Sequence, residues 1–410
     1  MNSFLDRIFR NLIAQGSLRL RWPDGTITQY RGVPGPSAAM RLCDRSAVQA
    51  LLLNPALALG EGYMNGTILA EDGGIYDLLH VLMLNLEQDS HHPMLELRAS
   101  WQRRWRRWAQ YNPIVRARRN VAHHYDLDGR LYSLFLDRDR QYSCAYFATG
   151  AETLEEAQTA KKRHIAAKLK LDRPGLHVLD IGCGWGGMAL MLARDFGAIV
   201  TGITLSEEQL AESRARAKAE GLEHQVRFEL RDYREITGPY DRIVSVGMFE
   251  HVGIGHYQEF FAQVYRLLAP DGVALLHTIG RIHGPSITNP WITKYIFPGG
   301  YSPALSEIMP PLESSGLFTT DVEVLRLHYA ETIRHWRRRF AANRDVITSL
   351  YDERFCRMFE FYLAGSELSF RVSDHVNFQI QLTRDAATLP LTRDYMTQAE
   401  RVAGPQVARN

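Results

Sequence analysis

The sequence of 410 residues has few cysteines, no long apolar run and almost no net charge. Its four cysteines stand apart without CxxC spacing, which argues against a zinc site and against a disulfide framework. No apolar stretch reaches the roughly 20 residues that cross a bilayer, and the N-terminal amphipathic segment lacks a small-residue cleavage site. We therefore expect a cytoplasmic protein with reduced thiols and no bound metal.

Arginines are concentrated in one segment, although the net charge is only +2. Residues 98–119 contain eight arginines and no acidic residue, and Trp101, Trp105 and Trp108 recur there at helical spacing. A helix with indoles on one face and arginines around them is typical of a membrane interface. The pattern would also suit a solvated linker or a nucleic-acid contact. We expect membrane contact, because a linker would leave three indole rings exposed.

The sequence indicates two domains. Alternating apolar and polar residues on either side of Asp24-Gly25 predict a β-hairpin. Helical patterns follow at residues 38–64 and 75–86. We place a boundary near residue 118, so that a small α+β domain covers 1–118 and ends in the Trp/Arg-rich helix. A larger domain covers 119–410.

From residue 176 onward, short apolar runs alternate with helical segments of 10 to 15 residues. This rhythm predicts an α/β fold with a doubly wound, mostly parallel sheet. In such sheets, ligands bind beyond the carboxyl ends of the strands. We therefore expect the chemistry in the loops that follow residues 181, 203, 230, 246 and 276.

A glycine-rich turn follows the first strand of this sheet. Gly182, Gly184 and Gly187 satisfy the GxGxxG pattern of nicotinamide-dinucleotide sites, so that cofactor must be weighed. Two features oppose it: Asp180 lies at the strand end just before the glycines, and the second strand ends in Thr204 instead of an acid for the ribose. An aspartate at this position favours a cationic ligand, which makes S-adenosylmethionine the better candidate. Three alternating glycines between a strand and a helix argue against a merely structural turn.

Several long motifs resemble the cyclopropane-fatty-acyl-phospholipid synthase family, which includes the mycolic acid cyclopropane synthases. They are QYSCAYF, VLDIGCGWGG, GITLSEEQ, RIVSVGMFEHVG, LLHTIG and NPWITKYIFPGG, in a match that spans roughly residues 123–375. Near the N-terminus, GEGYMNGTI is similar to the extra domain of the bacterial phospholipid enzymes, which the mycolic acid enzymes generally lack. The resemblance implies a class I, Rossmann-like methyltransferase and favours phospholipid as the source of the acyl chain.

The resemblance also implies the residues of the cofactor site. It assigns the methionine end of S-adenosylmethionine to Tyr142, Ser143, Gly182 and Gly184, the ribose to Thr204 and Gln209, and the adenine loop to Asp232 and Tyr233. Asp180 and Gly186 of the glycine turn complete the predicted set. The ribose assignment accounts for the missing acid after the second strand.

A second set of residues is implied to hold a bicarbonate ion beside the transferred methyl group. It consists of Cys144, Glu250, His277, the backbone of Ile279, and Tyr329. Bicarbonate would act as the base for ring closure, with direct deprotonation by Glu250 as the alternative. Taken alone, His277 on an apolar strand would be a core histidine, and Cys144 a small buried hydrophobe. Glu250 after an apolar strand is harder to explain by packing.

The expected reaction transfers a methyl group to the cis double bond of an unsaturated acyl chain in membrane phospholipid and then closes a cyclopropane ring. A cation forms on the acyl chain, so the pocket must be dry and aromatic. Candidates for its lining are Phe147, Phe249, Trp291, Tyr295, Phe297, Phe359, Phe361 and Tyr362. We expect peripheral association with the inner face of the membrane, a preference for anionic lipid, and no nucleic-acid partner. The resemblance is also compatible with a homodimer.

Three other functions compete with this one. A related lipid methyltransferase would add a methyl or methylene branch without ring closure, but only ring closure needs the complete predicted bicarbonate set. A non-catalytic lipid-binding protein would have no need of intact cofactor motifs. Nucleic-acid methylation is disfavoured, because the aromatic-proline motif of the base methylases is missing from the sequence.

Overall fold

The computed structural model describes residues 2–88 and 129–403. The helices in these ranges are α1 (Asn2–Leu12), α2 (Arg45–Leu53), α3 (Pro55–Asn65), α4 (Ile75–Gln88), α5 (Gly129–Phe135), α6 (Leu154–Lys168), α7 (Gly187–Phe196), α8 (Glu207–Ala219), α9 (Tyr257–Leu267), α10 (Pro290–Tyr295), α11 (Leu305–Glu313), α12 (His328–Ala342), α13 (Arg344–Leu350), α14 (Glu353–Arg371) and α15 (Asp394–Ala403). The strands are β1 (Gln15–Arg21), β2 (Ile27–Arg31), β3 (Val33–Leu42), β4 (Ile68–Glu71), β5 (His177–Ile181), β6 (Ile199–Thr204), β7 (Val226–Leu230), β8 (Tyr240–Val246), β9 (Leu268–Arg281), β10 (Phe318–Leu325) and β11 (His375–Thr383).

The described chain divides into two compact units. The first contains residues 2–88, 286–298 and 330–375, and the second contains residues 129–285, 299–329 and 376–403. The sequence-based boundary assigns 286–298 and 330–375 to the larger domain, whereas the structure groups them with the N-terminal residues. The predicted boundary at residue 118 and the predicted Trp/Arg-rich helix lie outside the described residues. Within the described ranges, no helix combines the length and apolar character needed to cross a bilayer.

The first unit is built on a four-stranded sheet in the order β2-β1-β3-β4. The predicted hairpin is confirmed, since β1 and β2 pair antiparallel on either side of the Asp24-Gly25 turn. Leu18 and Leu20 of β1 point into a core that also contains Ala364 and Leu368 of α14. The segment 330–375 is therefore an integral part of this core.

One predicted helix in the first unit is wrong in its first residues. Residues 38–42 form the end of β3 instead of a helix, paired with β1 on one side and with β4 on the other. Met40 and Leu42 are fully buried there. Two flanking strands supply all the backbone partners of this segment, and that tertiary pairing outweighs the helical preference of an alanine-rich sequence. The helix prediction holds from residue 45 onward, as α2 and α3.

Two motifs that carried the family resemblance meet in the first unit. Trp291, from NPWITKYIFPGG, is fully buried against Gly60, from GEGYMNGTI. A Cβ atom at residue 60 would lie 2.5 Å from the indole, so only glycine permits this contact. The indole Nε1 also donates to the sulfur of Met64 at 3.3 Å.

The second unit is the predicted doubly wound α/β structure. Its seven strands lie in the order β10-β11-β9-β8-β5-β6-β7, and the five from β9 to β7 pair parallel. Alternate residues of each strand enter separate cores on the two faces: Leu179 of β5 belongs to one and Val178 to the other. The strand order reverses between β5 and β8, so a crevice opens at their carboxyl ends.

Candidate functional site

The glycine turn after β5 has a backbone conformation that residues with a side chain rarely adopt. Gly182, Gly184 and Gly186 have φ values of +82°, +55° and +83°, in the left-handed region that favours glycine. A Cβ atom at Gly182 would lie 2.9 Å from the side chain of Met248, and one at Gly186 would lie 2.7 Å from Phe228. The turn ends where α7 begins, so it presents backbone to the crevice at the carboxyl end of β5.

Nine of the ten predicted cofactor residues line one pocket at this crevice. They are Tyr142, Ser143, Asp180, Gly182, Gly184, Thr204, Gln209, Asp232 and Tyr233. The tenth, Gly186, does not line the pocket. It is the residue before α7, and a Cβ atom there would meet Phe228 and Ser213. The residues come from four separate segments of the chain, and the sheet brings them together.

Asp180 brings a buried carboxyl group to this pocket. Its side chain is only 2% exposed, and burial raises its pKa to about 7, while the charge of Lys161 opposes that rise. Among the described residues, its Oδ2 atom is buried without a hydrogen-bond partner. Such an atom at a pocket wall fits a cationic ligand group, as the sulfonium and ammonium of S-adenosylmethionine are.

The predicted ribose and adenine residues are held by local hydrogen bonds. Thr204 Oγ1 donates to Gln209 Oε1 at 2.8 Å, which fixes the orientation of the Gln209 amide. Asp232 forms a bidentate ion pair with Arg234, with Nε and Nη2 each 2.8 Å from a carboxylate oxygen. Tyr233 packs edge-to-face on Phe260. The Asp232 carboxylate is thus already paired with the Arg234 guanidinium, which the sequence did not indicate.

Glu250 and Ile279 of the predicted bicarbonate set are in direct contact. Glu250 lies in a single 3-10 turn four residues beyond β8, and its Oε1 accepts a hydrogen bond from Ile279 N at 2.6 Å. Burial raises the Glu250 pKa to about 7. Its Oε2 is buried and accepts no hydrogen bond within the described part of the chain. The Ile279 donor therefore orients the carboxylate in this structure.

His277 lies one strand away on β9, opposite Val246 of β8. Its Nδ1 is 3.1 Å from Nε2 of the Gln379 amide on β11. Burial, with the charge of Lys161 next in size, holds the His277 pKa well below its usual value, so the ring is neutral. With the amide in this orientation Nδ1 accepts, which places the ring proton on Nε2. That atom is buried without a hydrogen-bond partner among the described residues.

Cys144 and Tyr329 belong to neighbouring segments of the second unit. Phe147 N, three residues after Cys144, donates to Nδ1 of His328 at 3.0 Å. His328 and Tyr329 begin α12. Cys144 is fully buried and Tyr329 is 9% exposed. The structure thus places this pair of segments side by side.

The predicted aromatic lining is divided between the two units. Phe147 and Phe249 lie in the second unit, and the other six lie in the first. Phe249 is fully buried in the hydrophobic core and stacks on Tyr257 at 4.2 Å, so it is a packing residue instead of a lining residue. In the first unit, Trp291 packs on Phe361 and Phe297 on Tyr362.

Two residues that hold the site were not found from the sequence. Lys161 of α6 is buried against Ser143, and Gln379 of β11 contacts His277. Lys161 lies in LEEAQTAKKRHIAAK, which is polar enough to suggest a surface helix. Gln379 lies in an otherwise ordinary strand pattern. Neither carries a local signal, because the contacts depend on tertiary packing.

The glycine turn, the pocket at the switch point and the parallel sheet define a class I methyltransferase, the class that uses S-adenosylmethionine. Within that class the chain belongs to the mycolic acid cyclopropane synthetase family, whose model matches residues 114–380. A separate domain of unknown function matches residues 4–92.

Two curated relatives cover most of the chain. The cyclopropane-fatty-acyl-phospholipid synthase of Escherichia coli is 39% identical over 348 residues, which are 85% of this chain and 88% of the relative. The tuberculostearic acid methyltransferase UfaA1 of Mycobacterium tuberculosis is 35% identical over 381 residues, which are 89% of this chain and 87% of the relative. Both alignments are long enough to involve both units.

Among solved structures, the mycolic acid cyclopropane synthase CmaA1 in complex with S-adenosylhomocysteine and CTAB is similar to the present chain. It is 34% identical, with a TM-score of 0.62 over 67% of this chain and 99% of its own. The family and the class I fold implied by the sequence motifs are therefore confirmed.

Proposed function

We propose that this protein transfers the methyl group of S-adenosylmethionine to the cis double bond of an unsaturated acyl chain in phospholipid and closes a cyclopropane ring. The observation that carries the proposal is the pair of buried, unpartnered polar atoms among the described residues, Glu250 Oε2 and His277 Nε2, on segments next to the cofactor pocket. The alignment with the Escherichia coli phospholipid enzyme over 85% of the chain supports phospholipid as the acyl source.

The pocket residues bind and orient the cofactor. When bound, S-adenosylmethionine supplies an electrophilic methyl group. The glycine turn lets the backbone approach the ligand, and the buried Asp180 carboxylate favours its cationic end. An alkene is a poor nucleophile, so catalysis by this protein consists mainly of holding the two reactants in line.

Bicarbonate fits the second set of residues in part. Among the described side chains, the buried Nε2 atom of His277 has no partner, and it can donate to an anion when it carries the ring proton. Bicarbonate would be held by His277 and Tyr329 and would supply a base close to the acyl chain. Ile279 N already donates a hydrogen bond to Glu250 Oε1. In this arrangement the backbone donor would therefore orient Glu250 and would not bind bicarbonate directly.

Glu250 is the alternative base. Its pKa of about 7 lets it accept a proton near neutral pH, and its Oε2 is free of hydrogen bonds from the described residues. Activity in bicarbonate-free buffer separates the two bases: dependence on added bicarbonate supports the anion, and indifference supports Glu250.

A second candidate reaction is methyl branching without ring closure. It is supported by the 35% identity with the tuberculostearic acid methyltransferase over 89% of this chain. The two reactions differ in their products. The purified protein should be incubated with S-adenosylmethionine and vesicles of cis-unsaturated phospholipid, and the lipid examined by proton NMR. Upfield cyclopropane protons support ring closure, whereas a branched product with no such signals would refute it.

We also propose that the enzyme docks on the cytoplasmic membrane surface through residues 98–119, with a preference for anionic lipid. The support is the sequence of this segment, eight arginines with three tryptophans at helical spacing. A substrate double bond lies deep in the bilayer while the cofactor is water-soluble, so the enzyme must work at the interface. Basic residues and indoles are the side chains that bind there.

A further inference from the structure

We propose that Lys161 is a positioning residue of the cofactor pocket: it orients the Ser143 hydroxyl so that its proton is offered to the carboxylate of the bound cofactor. The inference rests on the proposed function only in taking S-adenosylmethionine as the pocket's ligand. It adds a residue that lies behind the pocket and outside the motifs from which the site was predicted.

Lys161 is a fully buried cation that contacts two pocket residues. Its Nζ lies 2.6 Å from Gln141 Oε1 and 2.9 Å from Ser143 Oγ. Three residues earlier on the same face of α6, Gln158 Nε2 donates to the carbonyl oxygens of Ser143 at 2.9 Å and Gln141 at 3.3 Å. One face of α6 therefore fixes both the backbone and the side chains of residues 141–143.

The direction of these hydrogen bonds follows from the chemistry of an ammonium group, which donates and cannot accept. Ser143 Oγ must therefore accept from Lys161, and the serine's own proton must be directed to another acceptor. Ser143 lines the pocket, so that proton is available to a ligand there. The same rule fixes Gln141, whose Oε1 faces Lys161 and whose Nε2 donates to Asp139 Oδ2 at 3.1 Å.

Lys161 forms no ion pair among the described residues; its hydrogen-bond partners are the neutral side chains of Gln141 and Ser143. The titratable groups that act on it or feel it are Asp137, Asp139, Cys144, Lys162, Asp180 and His277. Asp139 is already paired with Lys162 and Arg216. A buried cation without a dedicated acid partner favours an anionic group nearby. A carboxylate at the methionine end of the cofactor meets that requirement.

A purely structural role makes a different prediction from a carboxylate-positioning role. If Lys161 only maintains the shape of the pocket, every adenosyl ligand loses affinity when it is replaced. If it acts through Ser143 on a carboxylate, a ligand without that group is spared. S-adenosylhomocysteine and its decarboxylated analogue, which keeps the amine, are the matched probes.

The test is calorimetry of both ligands with the intact protein and three variants. We expect Lys161→Met to weaken S-adenosylhomocysteine binding by about 10-fold or more, as for loss of a hydrogen bond to a charged group, and the decarboxylated analogue by less than about 2-fold. Ser143→Ala should show the same discrimination between ligands. Lys168→Met is the control, because Lys168 is an equally buried lysine of α6 whose partners are Glu323 and Asp321.

The wild-type protein provides a test that does not depend on the folding of a variant. Burial lowers the pKa of Lys161 to about 8, so its charge is lost in mildly alkaline solution. The dissociation constant of S-adenosylhomocysteine should rise between pH 7 and pH 9, roughly tracking that pKa, while that of the decarboxylated analogue changes less. Lys161→Arg keeps a charged donor and should remove the rise.

The outcomes are distinguishable from failure of the proposed function. If wild-type protein does not bind S-adenosylhomocysteine at all, the cofactor assignment itself is wrong. If it binds, and Lys161→Met weakens both ligands equally or neither, the positioning role is wrong. The positioning role is also wrong if the two ligands show the same pH dependence.

Discussion

Individual glycines of the turn after β5 are predicted to be needed for cofactor binding. We predict that Gly182→Val raises the dissociation constant of S-adenosylhomocysteine by roughly 10-fold or more, because a β-branched residue at positive φ is strained by about 1–3 kcal/mol. Its Cβ would also lie 2.9 Å from the Met248 side chain. Calorimetry measures the effect.

Gly175→Val is a matched control, since Gly175 also has a positive φ, of +77°, but has open space where a Cβ would be placed. It lies just before β5, outside the pocket lining. Equal losses of affinity in the two variants would show that strain anywhere near β5, and not the turn itself, controls binding.

Glu250 should control turnover without controlling cofactor affinity. We predict that Glu250→Gln lowers kcat by about 10²- to 10⁴-fold, the range for loss of a general base or its orienting group. Affinity for S-adenosylhomocysteine should stay within about 2-fold, because Glu250 does not line the pocket. Glu259→Gln, at an exposed acid of α9, serves as the control.

The pH dependence of kcat shows which ionisation state of Glu250 is active. Burial raises the Glu250 pKa to about 7, so the carboxylate is protonated below that pH and ionised above it. Wild-type kcat should therefore rise as the pH increases through about 7, and the residual activity of Glu250→Gln should lack this limb. A wild-type profile that is flat from pH 6 to pH 8, roughly one unit on either side of that value, would contradict the role.

Nine of the ten residues predicted for the cofactor site line one pocket, and the clearest of them carry a local backbone signal. The left-handed glycines and the acid at the end of β5 are signals that lie within a few consecutive residues. Lys161 could not be predicted, because a lysine in a polar helix is normally solvated and only the packing of α6 against residues 141–143 buries it. The Glu250–Ile279 contact joins residues that are 29 positions apart, and only the family resemblance, with no local pattern, put both of them in one predicted set.

The elements of the second unit are tied together by a cluster of charges on α6, β10 and α15. His164 Nε2 lies 2.7 Å from Glu323 Oε2, and Lys168 contacts the same oxygen. The other ring nitrogen of His164 contacts Glu400 of α15. Burial acts to raise the Glu323 pKa, but the hydrogen bonds and charges of His164 and Lys168 lower it to about 2.

We predict that Glu323→Gln lowers the free energy of unfolding by roughly 2 kcal/mol, less than the pKa shift alone implies, because Lys168 keeps Asp321 as a second partner. The contribution of Glu323 is complete above its unfolded-state pKa and is lost as the pH falls toward about 2. The difference in urea unfolding between variant and wild type should therefore shrink from pH 7 to roughly pH 3.

Glu313→Gln is the control for this measurement. Glu313 is an exposed residue at the end of α11, and its replacement should change stability by less than about 0.5 kcal/mol. If Glu323→Gln behaves like this control at neutral pH, the charge cluster does not stabilise the second unit.

Periodic patterns predicted strands β5 to β9 and helices α7 and α8 of the second unit, and the Asp24-Gly25 pair predicted the hairpin of the first. Residues 38–42 show where such patterns stop being informative. Their alanines suit a helix, but β1 and β4 supply hydrogen-bond partners on both sides. The grouping of residues 330–375 with the N-terminal core could not be predicted, because contacts such as Leu368 with the β1 leucines are distant in sequence.

The whole molecule is proposed to dock on a lipid surface through residues 98–119. We predict that replacing Arg103, Arg104, Arg106 and Arg107 together by Gln reduces sedimentation with anionic vesicles, since each basic residue near such a surface contributes about 1 kcal/mol. Activity on vesicles should fall in parallel, while affinity for S-adenosylhomocysteine is unchanged. Wild-type binding should weaken with added salt.

The control is a second four-residue variant that removes the same positive charge from the N-terminal sheet. It changes Arg19, Arg21, Arg31 and Arg41 to Gln. If the 103–107 variant sediments as well as wild type at low and at physiological salt, residues 98–119 are not the docking segment.

In the proposed reaction the transferred methyl group becomes the third carbon of a ring, and an isotope experiment follows its hydrogen atoms. The protein is incubated with S-adenosylmethionine carrying a fully deuterated methyl group and with cis-unsaturated phospholipid vesicles. Ring closure requires loss of one deuteron from the transferred methyl, so the product should retain two of the three and show upfield cyclopropane methine protons. A product without upfield methine protons would rule out ring closure, whether it retains three deuterons as a methyl branch or two as a methylene branch.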